Sequence, residues 1–241
     1  MSLSLSLELC DPSGLEQLGG GPVAGVVVVD LFRATSTLRS LVEHGHEAEI
    51  VATPEEAAEA MRRGRRCLGE WHGAVLAGFV CGNSPTRVRS LPVTGTPLVF
   101  LSSNGARSLT LAARVGATVL AGDLANLDAM AGTLLRSGGR WLCVPAGCRG
   151  ERRTEDDFVC TELARRLPRA AGPRLAELCR SLADTTVDDL AHGPSAQWLT
   201  RHEQTGAADL AFILSRRPDS GVLPCYDGKV LRQYQDGTGR G

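Results

Sequence analysis

With 241 residues the chain is long enough for one large α/β domain, or two small ones, to bury its own core. Hydrophobic residues make up 43% and charged residues 22%, a balance that excludes a disordered or collagen-like protein. Lys plus Arg is 26 against 27 for Asp plus Glu, so no field of one sign is present to hold a nucleic-acid backbone, and nucleic acid is not an expected partner.

The start, Met1 to Asp11, lacks a basic flank followed by a signal-peptide core, and no apolar run reaches the roughly 20 residues of a membrane span. A cytoplasmic protein without a membrane partner is expected. From Gly25 the run Val26-Val27-Val28-Val29 reads as a strand covered on both faces, ending at Asp30. Leu31 to Glu43 changes to helical spacing and stops at Gly45, a C-terminal cap. Ala48 to Ala52 follows as a second strand. Thr53-Pro54-Glu55-Glu56 then combines a capping box with proline at the first helical position, and Gly64 closes that helix. Gly69 to Pro97 is rich in glycine and proline and reads as a long irregular connection, a type of segment that is often functional.

Leu98 to Leu101 is a strand, Ser102-Ser103-Asn104-Gly105 a turn, and Ala106 to Val115 a helix before Gly116. The alternation continues with a strand at Thr118 to Leu120, a helix over Leu127 to Arg136, a strand at Trp141 to Val144 and a turn at Ala146-Gly147-Cys148-Arg149-Gly150. After Thr154 the pattern is helical for most of sixty residues, broken around Pro168 to Pro173 and near Gly193-Pro194. The end, Val222 to Tyr226, Asp227-Gly228 and Lys229 to Tyr234, carries the two-residue signal of a β-hairpin. A frayed tail is expected over Gly237 to Gly241. The implied fold is α/β: a mainly parallel sheet with flanking helices, a helical C-terminal region and a terminal hairpin. Residues 1–150 would form the core carrying the loops, and 151–241 the helical region that returns to it.

Eight cysteines include no C-x-x-C pair, so they read as reduced thiols rather than a zinc or redox motif. Neither a P-loop nor a dinucleotide fingerprint is present. Instead, three polar loops follow strands, at Asp30 to Thr37, Ser102 to Gly105 and Ala146 to Gly150. In open α/β sheets such loops face the ligand crevice, where helix N-termini offer N–H groups to anions. Arg33 and Arg149 can fork onto phosphate oxygens. Thr35, Ser36, Thr37, Ser102, Ser103 and Asn104 can hydrogen-bond them. The alternative for each loop alone is that these residues are caps and turns.

Asp30, Glu70, Glu155, Asp156 and Asp157 stand at or beside loops, where one or two could hold Mg²⁺ against phosphate oxygens. For Glu155 to Asp157 the competing role is to complement a helix N-terminus. Asp30 directly follows four apolar residues and is costly there without a partner. His44 and His46 flank the end of the first helix, where the dipole favours a protonated imidazole. His192 and His202 read as surface or capping residues. Cys148, beside Arg149, has no neighbouring histidine to activate it as a nucleophile.

Six segments occur in the order and approximate spacing of one family: Val28 to Thr37, Gly69 to Gly73, Gly78 to Pro85, Ser102 to Gly105, Ala146 to Gly150, and Glu155-Asp156. From Val26 to the final hairpin the chain resembles the 2-phosphosulfolactate phosphatases. The resemblance implies a Mg²⁺-dependent phosphatase that converts 2-phospho-3-sulfolactate to 3-sulfolactate and phosphate on the way to coenzyme M. Its partner would be a small-molecule phosphate ester, and a homodimer is compatible with it. Carried over position by position, Asp30, Glu70 and Asp156 fall to metal or catalysis. Arg33 joins Asp30 and Glu70 as catalytic. Thr35, Asn83, Ser84, Asn104, Gly105 and Arg149 fall to substrate binding.

Charge neutralisation and positioning would come from the arginines and Mg²⁺, with metal-activated water preferred over a carboxylate nucleophile. Where the family pattern reads Gly-Glu-Arg-x-Gly, Trp71 stands here in place of arginine. If that position faces the pocket, a positive charge is missing from it. Serines 102 and 103 replace paired threonines, and Gly172-Pro173-Arg174-Leu175 stands where an acidic residue is expected. Two other readings remain: a family member recruited to another anionic small molecule, and a silent anion-binding module with the same loops.

Overall fold

Four consecutive valines have no polar face to turn to water, so they must lie in a strand covered from both sides. The computed structural model, which describes residues 4–18, 22–115, 118–215 and 219–235, places them so. In chain order the elements are β1 (Leu5–Leu9), α1 (Pro12–Leu15), β2 (Gly25–Val29), α2 (Ala34–Glu43), β3 (Ala48–Val51), α3 (Pro54–Arg62), β4 (Cys67–Gly69), a 3-10 turn (Val88–Ser90), β5 (Leu98–Leu101), α4 (Gly105–Ala113), β6 (Thr118–Gly122), α5 (Leu127–Ser137), β7 (Gly139–Pro145), α6 (Thr154–Arg166), α7 (Pro173–Ser181), α8 (Val187–His192), α9 (Pro194–His202), α10 (Gly206–Leu214), β8 (Pro224–Tyr226) and β9 (Val230–Gln233). Val26 and Val28 enter a core with Leu38, Leu41, Phe100 and Leu109 on one side of the sheet. Val27 and Val29 enter a second core with Leu120, Met130, Trp141 and Phe158 on the other. Each valine so buried contributes about 1.5–3 kcal/mol.

Among the described residues nine strands form one sheet in the order β1-β7-β2-β6-β8-β9-β3-β5-β4. Two parallel blocks, β1-β7-β2-β6 and β3-β5-β4, are joined by the antiparallel hairpin β8-β9. Direction reverses three times across that join, so the blocks start out opposed. The carboxyl ends of β2 and β7 in the first block and of β4 and β5 in the second nonetheless face one another. This places the loops after β2, β4, β5 and β7 around one cavity.

The elements read from sequence recur with three adjustments. The helix expected from Leu31 begins at Ala34, because two carboxylates take the N–H groups ahead of it: Leu31 N donates to Asp156 (2.8 Å) and Ala34 N to Asp30 (3.3 Å). β1 and β4 come in addition. β1 carries the alternation Leu-Ser-Leu-Glu-Leu of a half-buried edge strand, whereas β4 is too short to show a period. The hairpin turn is centred on Gly228-Lys229 rather than Asp227-Gly228: Asp227 N donates to Val230 O (3.2 Å), and Gly228 has φ 94. Asp227 instead accepts from the N–H groups of Lys229 and Val230, which fixes the turn from its first position.

The capping box forms as expected, with Thr53 Oγ1 accepting from Glu56 N (3.2 Å) and Glu56 Oε2 from Thr53 N (3.1 Å). Gly116 and Gly237 to Gly241 lie outside the described residues. The helical stretch breaks at Pro168 to Pro173 and at Gly193-Pro194, and its later helices α9 and α10 close over the sheet end. Among the described residues no helix is long and apolar enough to cross a membrane.

Candidate active site

The loops after β2, β4, β5 and β7, the start of α6 and one face of α9 enclose a cavity of about 510 Å³. Its floor is acidic. Asp30, the residue after the four valines, is only 7% exposed and accepts from the N–H of Ala34. Burial pushes its carboxyl up to about 7, with Glu70 and Glu155 raising it further and the N–H groups of Ala34 and Gly105 opposing the rise. Asp156 is driven well above the ordinary carboxylate range, first by burial and then by Asp30 and Glu155. Its oxygens accept from Leu31 N (2.8 Å) and Gly147 N (2.9 Å), so it ties the loops after β2 and β7 together.

Three successive carboxylates at the start of α6 thus have three different surroundings. Asp157 turns to the Arg152 guanidinium (2.5 Å), Asp156 is held by backbone, and Glu155 faces the cavity with neither hydrogen bond nor ion pair among the described residues. Glu70 is the opposite case. Ser103 N, Gly73 N and Ser103 Oγ all donate to it, at 2.8, 2.7 and 3.1 Å, so it braces the loop after β5 against the turn after β4.

Two turns of the same kind flank the floor. In Trp71 to Ala74 and in Cys148 to Glu151 the end residues exchange both backbone hydrogen bonds, and both central residues have positive φ: His72 (52°) with Gly73 (83°), and Arg149 (54°) with Gly150 (83°). Such turns favour Asn-Gly or Gly-Gly, and histidine or arginine at the first central position costs about 1–2 kcal/mol. Both strained residues line the cavity. Arg149 is further held by Asn104, whose Oδ1 accepts from its N–H (3.3 Å). Arg149→Gly is expected to leave the protein as stable or up to about 1 kcal/mol more stable, while lowering activity. Urea unfolding beside an activity assay checks this; a clear loss of stability would make the arginine a structural residue.

Arg33 lies at the cavity, but its terminal nitrogens are already engaged by Asp209 Oδ2 (2.6 Å) and Glu203 Oε2 (3.1 Å). Asp209, fully buried, also accepts from Ser84 Oγ, Thr205 Oγ1, Thr86 Oγ1 and Thr86 N. The hub anchors α9 and α10 to the loops below, and Trp198 and Leu199 of α9 form the apolar side of the cavity with Phe32. The Trp198 ring comes so close to the turn after β4 that a Cβ at Gly73 would lie 2.8 Å from it.

Of the residues singled out from sequence, Asp30, Arg33, Glu70, Asn83, Asn104, Arg149 and Asp156 line the cavity, as do Ser102, Ser103, Cys148 and Glu155. Thr35, Ser84 and Gly105 do not. Thr35 Oγ1 donates to Asp30 O (2.9 Å), Ser84 belongs to the Asp209 hub, and Gly105 gives α4 the close approach to Asp30 that a Cβ would block at 2.7 Å. Ser36 and Thr37 are buried in α2, Ser36 donating to Leu31 O.

Trp71 does not itself line the cavity: it packs on a small core with Met61, Leu76 and Phe79, its ring 4.7 Å from that of His72, which does. The His44 ring is held between Arg89, which donates to its Nε2, and Ser40 O, which lies 2.8 Å from its Nδ1. Burial pulls the His46 imidazole below its ordinary value. His192 and His202 contact helix carbonyls on the surface. Arg107, Trp198 and Asp209 are residues that the sequence pattern did not bring forward, whereas Glu155, one of the carboxylates considered for Mg²⁺, lines the cavity.

Among the described residues no three His, Cys, Asp or Glu side chains converge closely enough to hold a metal alone. Mg²⁺ does not require such a cage. It is bound through one or two carboxylates plus water and substrate phosphate oxygens. The cavity floor offers only hard oxygen donors, and its buried like charges are the kind that a cation relieves, so these residues fit the ion in that mode.

Residues 16–227 match a protein family described as 2-phosphosulpholactate phosphatase. A 2-phosphosulfolactate phosphatase of Methanothermobacter thermautotrophicus is 36% identical over 236 residues, covering 95% of each chain. A probable 2-phosphosulfolactate phosphatase of Parasynechococcus marenigrum is 36% identical over 178 residues, 71% of this chain and 69% of that one. Another so described, from Thermotoga petrophila, is 30% identical over 169 residues, 68% and 73% of the two chains.

Proposed function

The chain belongs to the 2-phosphosulfolactate phosphatase family, phosphoric monoester hydrolases, and from that premise we propose that it hydrolyses 2-phospho-3-sulfolactate to 3-sulfolactate and phosphate with Mg²⁺. The observation that carries the reading is Asp30: a buried carboxylate at a strand end, raised to about 7, facing a cavity with arginines at its rim. In the metal-free protein such a carboxyl can both hold and release a proton near neutral pH. Asp30 accepts the proton of the attacking water as its oxygen bonds to phosphorus, and the bond from phosphorus to the ester oxygen breaks on the far side. The departing oxygen leaves on sulfolactate and takes a proton from solvent water, while Asp30 returns the proton it gained to solvent.

Arg149 at the rim meets the anionic charge of the substrate, and Asn83 and Asn104 orient the ester. Asp30, Asp156 and Glu70, with Glu155 beside them, are the residues that would hold Mg²⁺, which when bound offsets phosphoryl charge and acidifies water.

The expected result is phosphate release from 2-phospho-3-sulfolactate in the presence of Mg²⁺ and its loss with a chelator, measured beside a panel of small phosphate esters. A second reading, another phosphorylated small molecule as substrate, is favoured by the apolar wall of Phe32, Trp198 and Leu199, which a three-carbon polyanion does not use. Release from another ester but not from phosphosulfolactate would select that reading. Silence across the panel would remove the phosphatase assignment for this chain.

A further inference from the structure

Helix α4 starts at the cavity in an unusual state. Asn104 at its N-cap makes no capping bond to the helix, its side chain being used by Arg149 N, and no acidic residue stands in the first turn. The third residue of the helix is Arg107, a positive charge at the positive end of the dipole, where it opposes helix stability. Its guanidinium lines the cavity and makes no ion pair or hydrogen bond among the described residues. The guanidinium of Arg149, carried on the neighbouring strained turn, has none either.

A separate observation on the facing loop also points to a ligand. Asn83 is 4% exposed, lines the same cavity and makes no hydrogen bond to the protein, and its Oδ1 is buried without a partner. Two guanidinium groups without partners, those of Arg107 and Arg149, thus line the same cavity as Asn83, beside an α4 N-terminus whose first N–H already serves Asp30.

We propose that Arg107, together with Arg149, clamps a second acidic group of the substrate, and thereby restricts the enzyme to phosphate esters that carry a carboxylate or sulfonate near the ester carbon. The proposal rests on the phosphatase reading for its substrate and adds the residue that selects it. The phosphoryl group lies over the floor beside Asp30, and the clamp takes the charge at the other end. A planar fork on carboxylate, or two N–H groups on adjacent sulfonate oxygens, is the contact that a guanidinium makes and an ammonium does not.

The test compares the wild type with Arg107→Ala and Arg107→Lys on 2-phospho-3-sulfolactate and on glycerol 2-phosphate, which has the same secondary ester but no acid. For Arg107→Ala, kcat/KM on the sulfolactate ester should fall about 10–100-fold, mostly through KM, as expected for losing charged hydrogen bonds. The value on glycerol 2-phosphate should stay unchanged, and Arg107→Lys should recover only part of the loss. Equal losses on both esters, or none on either, would overturn the clamp.

A second readout needs no turnover. The product 3-sulfolactate should raise the melting temperature of the wild type and not that of Arg107→Ala. If the wild type hydrolyses neither ester, the phosphatase reading fails while this shift still decides the clamp; no shift with the wild type rejects it.

Discussion

Asp30→Asn should lower phosphate release by about 10²–10⁴-fold, the range for losing a positioned general base, without unfolding the protein. Asparagine keeps the shape and one acceptor oxygen for Ala34 N, and removes the charge that burial penalises. The same substitution has a second signature. The folded carboxyl titrates near 7 against an ordinary value of 3.8, so the native state binds this proton more tightly than the unfolded chain does. The contribution to stability is fully present below about pH 4 and is lost as pH rises through 7.

At about 1.4 kcal/mol per unit, the loss attributable to Asp30 across that window is on the order of 4 kcal/mol. Urea midpoints of the chelated protein should therefore fall between pH 4.5 and 8 in the wild type. They should fall less in Asp30→Asn, which becomes the more stable of the two at pH 8. A variant with near-normal turnover would take Asp30 out of the mechanism. One whose midpoints follow the wild-type slope would show that the burial of this carboxyl does not set the pH dependence.

What the sequence makes legible follows from how local the determinants are. The valines of β2 and the apolar run of β5 declare themselves because both faces of an inner strand are buried, and the glycine or asparagine loops after them mark where a crevice must open. Asp30, Asn83, Asn104, Arg149 and Asp156 were reachable for that reason: each lies in a short polar stretch tied to a strand end or to the motif order. β1 and β4 were not, the first because its weak alternation sits at the edge of the sheet, the second because three residues carry no period.

The residues from helices are harder still. Glu155, Asp156 and Asp157 are indistinguishable in sequence, and only the docking of α6 against the loops after β2 and β7 assigns one to the cavity, one to backbone and one to Arg152. Arg33 illustrates the reverse error. An arginine beside an aspartate in a polar loop reads as a phosphate fork, but its partner carboxylates lie about 170 residues further on, where no local pattern could indicate them.

That distant partnership is where the largest loss of stability is expected. Asp209→Ala should destabilise the protein by about 3–5 kcal/mol, the cost of leaving a buried charge without its counter-ion, against a total of about 5–15 kcal/mol for a protein of this kind. Arg33, only 4% exposed, would retain Glu203 at 3.1 Å, but Ser84 Oγ, Thr86 Oγ1 and Thr205 Oγ1 would each lose their acceptor in a dry environment. The effect should be local as well as global. α9 carries Trp198 over the Gly73 turn and Glu203 onto Arg33, so its amides should exchange hydrogen faster than those of β2 and β7, and KM should rise more than kcat falls because the apolar wall of the cavity loosens.

Arg33→Met combined with Asp209→Leu tests the cause. If charge pairing is what the hub contributes, removing both charges should restore most of the stability that either single change loses. Urea unfolding of the wild type, the two single variants and the double gives the coupling directly. A double variant no more stable than Asp209→Leu would show that the hydroxyl donors, rather than the ion pair, hold the helices over the site. A loss below about 0.5 kcal/mol in the single variant, the level of an ordinary surface substitution, would detach the position of the wall from this hub altogether.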